Sequence, residues 1–204
     1  MMRGLYAITP DLADTALLTA KVEPALKAGV AMLQYRNKDL AKDKRLLQAK
    51  ELAALARGYG VPFIVNDDLD IALAVGANGV HLGKDDGDLA AARAKLSGKI
   101  LGASCYADIH KARAAVRAGA DYIAFGSVYP SSTKPGAVRA PLELFAHDLG
   151  VPRCAIGGIT VQNAPALVAL ARAEKDAAMK KRIVERLSVM KSKEATDYML
   201  ELLK

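Results

Sequence analysis

Short apolar runs alternate with longer amphipathic stretches along most of the chain. Seven of the runs are apolar almost throughout, which is typical of strands that are buried on both faces of a parallel sheet. These predicted strands are Gly4–Thr9, Met32–Arg36, Phe63–Asn66, Gly79–Leu82, Ile100–Ser104, Tyr122–Phe125 and Arg153–Ile156. The regular alternation predicts an α/β fold.

The stretches between these strands have helical periodicity. Helices are predicted over Thr15–Ala28, Lys42–Tyr59, Leu69–Val75, Leu89–Leu96, Ile109–Ala118, Pro141–Asp148 and Val161–Ala173. Pro24 predicts a kink or a late start in the first of them. A repeat of roughly 25 residues per βα unit is typical of a TIM-type (β/α)₈ barrel. A flavodoxin-like open sheet is the alternative, although it needs only five or six strands.

The last 31 residues differ from the rest, because no β-rich run is evident after Asn163. Met179, Ile183, Leu187 and Met190 fall on one face of a helix. The pattern therefore predicts a βα-barrel domain over residues 1–173, incomplete with seven strands, and a helical extension over residues 174–204. Three explanations of the missing eighth strand remain open. The tail could be an engineered fusion, it could belong to a natural variant whose helices fill the gap or form a dimer, or it could contain a hidden strand. Helices packed on the barrel are the favoured interpretation.

Composition narrows the class of protein. The 204 residues are 52% hydrophobic, and no apolar run approaches the roughly 18 residues of a membrane helix. The N-terminus lacks the pattern of a signal peptide, and Cys105 and Cys154 form no Cys-x-x-Cys pair, so a cytoplasmic chain with reduced thiols is expected. The net charge is +7, but aromatic residues make up 5% and tryptophan is absent. Stacking platforms for nucleic acid are therefore not expected, and anionic metabolites are favoured.

Polar residues follow the predicted strands, where (β/α)₈ barrels place their active sites. Gln34, Arg36 and Lys38 alternate at and just beyond the end of the second strand, and one amide with two cations suits a diphosphate. Asp67 and Asp86 follow the third and fourth strands. Magnesium typically takes one or two protein carboxylates together with substrate phosphate oxygens, so these two residues could hold Mg²⁺.

Small donors and glycines follow the sixth and seventh strands. They are Ser131, Thr133, Lys134 and the pair Gly157-Gly158. Glycines allow backbone N–H groups to approach an anion, and the N-terminus of a following helix adds a favourable dipole. These residues could close around a second phosphate.

Two other residues with reactive side chains favour structural roles. His81 lies inside a predicted strand, where a hydrogen-bonded structural imidazole is the simpler interpretation. Cys105 follows Ser104 without a histidine paired to it in the pattern, so we interpret it as a small packed residue.

These motifs together resemble thiamine-phosphate synthase over about residues 3–170. The similar segments are Gly4–Thr9, Gln34-x-Arg36-x-Lys38, Asn66-Asp67, Gly79–Gly83 with Asp86, Gly126–Pro130 with Thr133-Lys134, and Ile156–Ile159. The family is a (β/α)₈ barrel that joins hydroxymethylpyrimidine diphosphate to hydroxyethylthiazole phosphate. The products are thiamine phosphate and pyrophosphate, and the reaction uses Mg²⁺.

The resemblance implies a role for each matching residue. It assigns the pyrimidine diphosphate to Gln34, Arg36, Lys38 and Asn66, and the magnesium ion to Asp67 and Asp86. Ser104 would contact the departing diphosphate or the pyrimidine, and Lys134 would reach the diphosphate. The thiazole phosphate would be bound by Ser131, Thr133 and Gly158. Arg36, Ser104 and Lys134 are the implied catalytic residues. The implied mechanism is dissociative: Mg²⁺ and the cations neutralise the leaving diphosphate, and the thiazole nitrogen captures a pyrimidinyl-methyl cation.

The chain departs from the family at its C-terminal end. The family ends its eighth strand in a Val-Ser or Ile-Ser pair that completes the thiazole-phosphate site, and the sequence shows no such strand. Weaker binding of thiazole phosphate is therefore expected. Two alternatives follow. One is a thiazole tautomerase-like barrel, whose relatives generally lack the full diphosphate set. The other is a non-catalytic or engineered barrel fragment that binds a phosphorylated ligand or serves folding or assembly.

Overall fold

Eight parallel strands form a closed barrel. The computed structural model describes residues 4–131, 136, 138–173 and 183–188. The strands pair in sequence order, and the last one pairs with the first. They are β1 Gly4–Ile8, β2 Met32–Tyr35, β3 Phe63–Asn66, β4 Gly79–Leu82, β5 Ile100–Tyr106, β6 Tyr122–Gly126, β7 Arg153–Ile156 and β8 Ile183–Ser188. The predicted TIM-type barrel is confirmed, and a flavodoxin-like open sheet is excluded.

Helices connect the strands on the outside of the barrel. They are α1 Thr15–Lys27, α2 Lys42–Gly58, α3 Leu69–Ala74, α4 Leu89–Lys95, α5 Ile109–Arg117, the 3₁₀ helix Leu142–Ala146 and α6 Ala164–Ala173. Four helices begin at an aspartate whose carboxylate accepts a backbone N–H of the first turn: Asp14, Asp68, Asp88 and Asp108. Each such cap stabilises its helix by about 1 kcal/mol. None of the helices in the described ranges combines the length and apolar character that crossing a membrane requires.

Two helix predictions need correction. Pro24 lies inside α1, which already begins at Thr15, so the late start is wrong. The helix expected over Pro141–Asp148 is a five-residue 3₁₀ helix. The buried Arg153 guanidinium donates to the carbonyl oxygens of Phe145 and His147. These bonds tie the end of the short helix to the first residue of β7.

The strand that closes the barrel lies in the tail for which a helix was predicted. Residues 183–188 pair with β7 on one side and with β1 on the other. The helix prediction for these six residues is therefore wrong. Without β8, both β1 and β7 would present unpaired backbone edges, and this gain in pairing outweighs the local helical pattern. The rest of the predicted extension, residues 174–182 and 189–204, lies outside the described residues.

The interior of the barrel carries polar side chains among its apolar ones. A cluster of buried residues contains Tyr6 and Tyr122, whose rings meet edge to face with centroids 5.8 Å apart. The Tyr122 ring occupies the space beside Gly102, where an added Cβ would lie 2.1 Å from the ring. The glycine in β5 thus makes room for a tyrosine hydroxyl at the centre of the barrel.

Candidate active site

A cavity of about 1090 Å³ opens at the carboxyl ends of the strands. In (β/α)₈ barrels this end carries the catalytic residues. Nine residues selected from the sequence lie on its wall: Arg36, Lys38, Asn66, Asp67, Asp86, Ser104, Ser131, Gly157 and Gly158. The structure therefore brings together side chains from loops that are far apart in sequence.

Arg36 is anchored on this wall by the loop that follows β1. Its guanidinium forms an ion pair with the Asp11 carboxylate, and its side chain is only 18% exposed. The other Asp11 oxygen accepts the backbone N–H of Lys38 at 3.0 Å. The Thr9 hydroxyl bonds the backbone of Arg36 at 2.8 Å. These contacts hold the Arg36 side chain in place before an anion binds. Less conformational entropy is therefore lost on binding than for a free cationic side chain.

Asp67 and Asp86 form a carboxylate pair on the same wall, beside Lys38. Burial and the adjacent Asp86 carboxylate, which lies within hydrogen-bonding reach, raise the pKa of Asp67, whereas Lys38 lowers it. The Lys38 ammonium lies 3.3 Å from an Asp67 oxygen, and Asp86 accepts the backbone N–H of Gly83 at 2.8 Å. Partial burial and a neighbouring carboxylate disfavour the charged form of Asp67, and a bound cation relieves this cost.

The donor set of the pair fits a magnesium ion. Within the parts of the chain that the structure covers, no group of three or more His, Cys, Asp and Glu side chains could hold a metal. A site with only two carboxylates leaves the remaining positions to water and to phosphate oxygens, which is the usual arrangement for Mg²⁺.

Backbone strain coincides with the cavity. Asp67 and Tyr106 are the non-glycine residues with positive φ in the described ranges, at 64° and 56°, and both line the cavity. Such conformations cost roughly 1–3 kcal/mol and persist where the surroundings enforce them. For Asp67 the surroundings include a 2.8 Å hydrogen bond from its backbone N–H to the His81 carbonyl oxygen.

The raised pKa of Asp67 predicts that Asp67→Asn stabilises the metal-free protein at neutral pH. The folded state holds the Asp67 proton more tightly than the unfolded state, whose pKa is about 3.9, so ionisation costs the wild type stability as the pH rises above that value. Thermal denaturation without metal should show a variant Tm about 2–4 °C higher at pH 7, and this gain should shrink toward pH 3. Added Mg²⁺ should raise the wild-type Tm more than that of the variant. A variant that is less stable at pH 7 without metal would contradict this reading of the pair.

The glycines after β7 pack directly against the loop after β6. Gly157 and Gly158 have φ values of +88° and +66°. A Cβ on Gly158 would lie 2.2 Å from the carbonyl oxygen of Pro130. Asn163 holds the same turn, because its amide donates to the Gly158 carbonyl at 2.9 Å just before α6 begins. The turn thus brings bare backbone to the cavity near Ser131, as an anion site requires.

Among the described residues predicted for the site, Gln34 does not line the cavity. Gln34 is fully buried inside the barrel, where its amide donates to the Tyr6 hydroxyl at 2.7 Å. Thr133 and Lys134 lie outside the described residues.

Cys105 is buried, and its pKa is raised to about 12 by desolvation, so its thiol stays protonated.

Several residues of the wall are not predicted from the sequence. Asp11 follows β1 just as the selected residues follow their own strands, so its position was the available signal. Tyr106 lies where the pairing of β5 with β6 shifts register, and the Lys111 ammonium lies 5.3 Å from its ring centroid. A bulge depends on the partner strand, and the local pattern therefore carries no signal for it.

The fold and the cavity together define a (β/α)₈-barrel protein whose strand ends offer two cations and a carboxylate pair to a phosphorylated ligand. A family model described as thiamine monophosphate synthase matches residues 5–181. The thiamine-phosphate synthase of Aromatoleum aromaticum is 58% identical over 172 residues, which are 82% of this chain and 83% of the relative. The thiamine-phosphate synthase of an Azoarcus species is 54% identical over 171 residues, which are 82% of this chain and 83% of that relative. The structure of a thiamine phosphate pyrophosphorylase from Pyrococcus furiosus is 30% identical, has a TM-score of 0.77 and covers 98% of this chain and 95% of its own. The chain belongs to the thiamine-phosphate synthase family.

Proposed function

We propose that the chain transfers the hydroxymethylpyrimidine group from its diphosphate to hydroxyethylthiazole phosphate, forming thiamine phosphate and pyrophosphate. The observation that carries the proposal is the convergence of Arg36, Lys38 and the Asp67–Asp86 pair on one cavity. Its volume of about 1090 Å³ is ample for two small substrates side by side. Membership of the family supports the same reaction.

The cationic side of the cavity would bind the diphosphate. Arg36 offers a planar fork that Asp11 already holds in place, and Lys38 offers a point charge beside Asp67. Asn66 and Ser104 add neutral hydrogen-bonding groups on the same wall. Fixed donors that face a developing negative charge lower the barrier most, because they need no reorganisation during the reaction.

Asp67 and Asp86 would hold Mg²⁺ in this proposal. The ion would supply positive charge to the leaving diphosphate. The two carboxylates would gain from it, because it removes the mutual repulsion that contributes to the raised pKa of Asp67.

The glycine side of the cavity would bind the thiazole phosphate. Ser131 and the backbone of Gly158 lie on this part of the wall. Thr133 would add a hydroxyl to the same phosphate, and Lys134 a charge to the diphosphate. Both assignments rest on the family motif.

Turnover of the two substrates by the full chain tests the proposal. The chain should form thiamine phosphate and pyrophosphate in equal amounts with Mg²⁺ present, as measured by mass spectrometry and a pyrophosphate assay. Omission of hydroxyethylthiazole phosphate should abolish thiamine phosphate formation. Binding of the pyrimidine diphosphate without product would indicate a non-catalytic barrel, and isomerisation of a thiazole carboxylate phosphate would indicate a tautomerase. Either result would overturn the proposed reaction.

A further inference from the structure

A chain of five hydrogen-bonded side chains crosses the barrel interior and ends on the cavity wall. Gln34 on β2 donates its amide N–H to the Tyr6 hydroxyl at 2.7 Å. The hydroxyls of Tyr6 and Tyr122 are 2.8 Å apart. The Tyr122 hydroxyl is 2.8 Å from His81 Nδ1, and His81 Nε2 is 2.8 Å from Ser104 Oγ. The first four residues are buried, whereas Ser104 lies on the wall.

The first donor sets a preferred direction for the whole chain. An amide nitrogen can only donate, so Tyr6 accepts from Gln34. If every member then donates forward, Tyr6 donates to Tyr122 and Tyr122 donates to His81 Nδ1. In the reverse order the Tyr6 oxygen accepts from both Gln34 and Tyr122, so the hydrogen bonds no longer run in one direction along the chain. Hydrogen bonds aligned in one direction polarise and strengthen one another, which favours the forward order.

The forward order fixes which ring nitrogen of His81 carries the proton. Because Nδ1 accepts from Tyr122, the neutral ring carries its proton on Nε2 and donates it to Ser104 Oγ. The Ser104 oxygen is then an acceptor toward the interior, and its own proton points away from His81. In the reverse order Ser104 would donate inward and present lone pairs to the cavity, where they would repel an anion.

We propose that His81, oriented by Tyr122, is a positioning residue that makes Ser104 a hydrogen-bond donor to an anionic oxygen of the bound diphosphate. The inference rests on the proposed synthase reaction for the identity of the anion. Ser104 is the member that touches the substrate, and the other four act through it. The chain also gives Gln34 a role from a position that does not reach the cavity wall.

The tautomer of His81 can be measured in the protein without substrate. His81 is buried, whereas the other histidines of the chain, His110 and His147, are exposed. Nitrogen-15 NMR of the imidazoles should therefore show one ring fixed with its proton on Nε2 and two rings that exchange between tautomers. Tyr122→Phe should release His81 from the fixed tautomer. A wild-type His81 ring that carries a proton on Nδ1 would overturn the proposal, whatever the chain catalyses.

Tyr35→Phe is the matched control for the loss of a buried hydroxyl. The Tyr35 hydroxyl is also buried and donates to Gln48 at 2.9 Å, but it belongs to no part of this chain. This variant should leave the His81 spectrum unchanged. If Tyr122→Phe does not fold, Tyr6→Phe interrupts the same chain one link earlier and should loosen the tautomer in the same way.

A double-mutant cycle tests the link to Ser104. Ser104→Ala and Tyr122→Phe should each lower kcat/KM by about 10- to 100-fold, the range for a hydrogen bond to a charged group. The double variant should be no worse than Ser104→Ala alone, because both remove the same donor. Multiplicative losses would show that Tyr122 acts independently and would overturn the proposal. If the chain makes no product, the proposed function fails, and the cycle is then run on the affinity for inorganic pyrophosphate with Mg²⁺, with the same criterion.

Discussion

Asp67→Asn should lower kcat/KM for thiamine phosphate formation by about 1,000-fold. The substitution removes one of two carboxylates that would hold the magnesium, and loss of preorganised charge stabilisation at a leaving group costs about 100- to 1,000-fold in known enzymes. It also removes the partner of Lys38, whose ammonium lies 3.3 Å from Asp67. Steady-state kinetics with saturating Mg²⁺ provide the measurement.

Asp70→Asn is the control for this substitution. Asp70 lies three residues further along, is 76% exposed and pairs only on the surface with Lys42 at 3.1 Å. Exposed pairs of this kind contribute little to stability, so this variant should stay within about twofold of the wild type. If Asp67→Asn retained more than a tenth of wild-type kcat/KM, the carboxylate pair would not be the metal site. Because Asp67→Asn is expected to stabilise the metal-free protein, a loss of activity in this variant could not be attributed to unfolding.

Gly158→Ala should destabilise the fold by about 3 kcal/mol and raise the KM for the thiazole phosphate. Alanine at φ +66° costs about 1–2 kcal/mol, and the added Cβ would lie 2.2 Å from a backbone oxygen of Pro130. That oxygen cannot rotate away, so the loop after β6 has to move at a cost of roughly 1–3 kcal/mol more. Denaturant titration and substrate kinetics together measure both effects.

Gly150→Ala separates backbone strain from close packing. Gly150 has φ +75°, but nothing lies within 4 Å of its added Cβ. Its substitution should therefore cost only the strain, about 1 kcal/mol, and leave KM unchanged. Equal losses of stability in the two variants would show that the contact between Gly158 and Pro130 is not a tight one.

The sequence predicts seven of the eight strands because each is a continuous apolar run between glycines and polar turns. β3, β4 and β7 have the predicted bounds at both ends. β8 differs because Glu185 and Arg186 interrupt its apolar run, and its pairing partners are β1 and β7, far away in sequence. A local pattern contains no information about two edges that need a partner. The 3₁₀ helix likewise makes a contact that its own segment does not show, because the guanidinium of Arg153 donates to the Phe145 carbonyl.

The site was predictable to the extent that a residue's place after a strand fixes its place on the cavity wall. This rule placed Arg36, Asp67 and Asp86 correctly on the wall. It failed for Gln34, which stands at the end of β2 but faces the barrel interior. Alternation along a strand tells which side chains point into the barrel. It does not tell how far below the mouth of the cavity each of them lies. The hydrogen-bond chain from Gln34 to Ser104 joins five strands and was not visible in any single motif.

A structure with Mn²⁺ in place of Mg²⁺ and with pyrophosphate bound tests the central claim most directly. The anomalous signal of the metal should lie about 2.1 Å from oxygens of both Asp67 and Asp86, with pyrophosphate oxygens completing the coordination and Arg36 contacting the same anion. A metal bound away from both carboxylates, or pyrophosphate outside the cavity, would contradict the account.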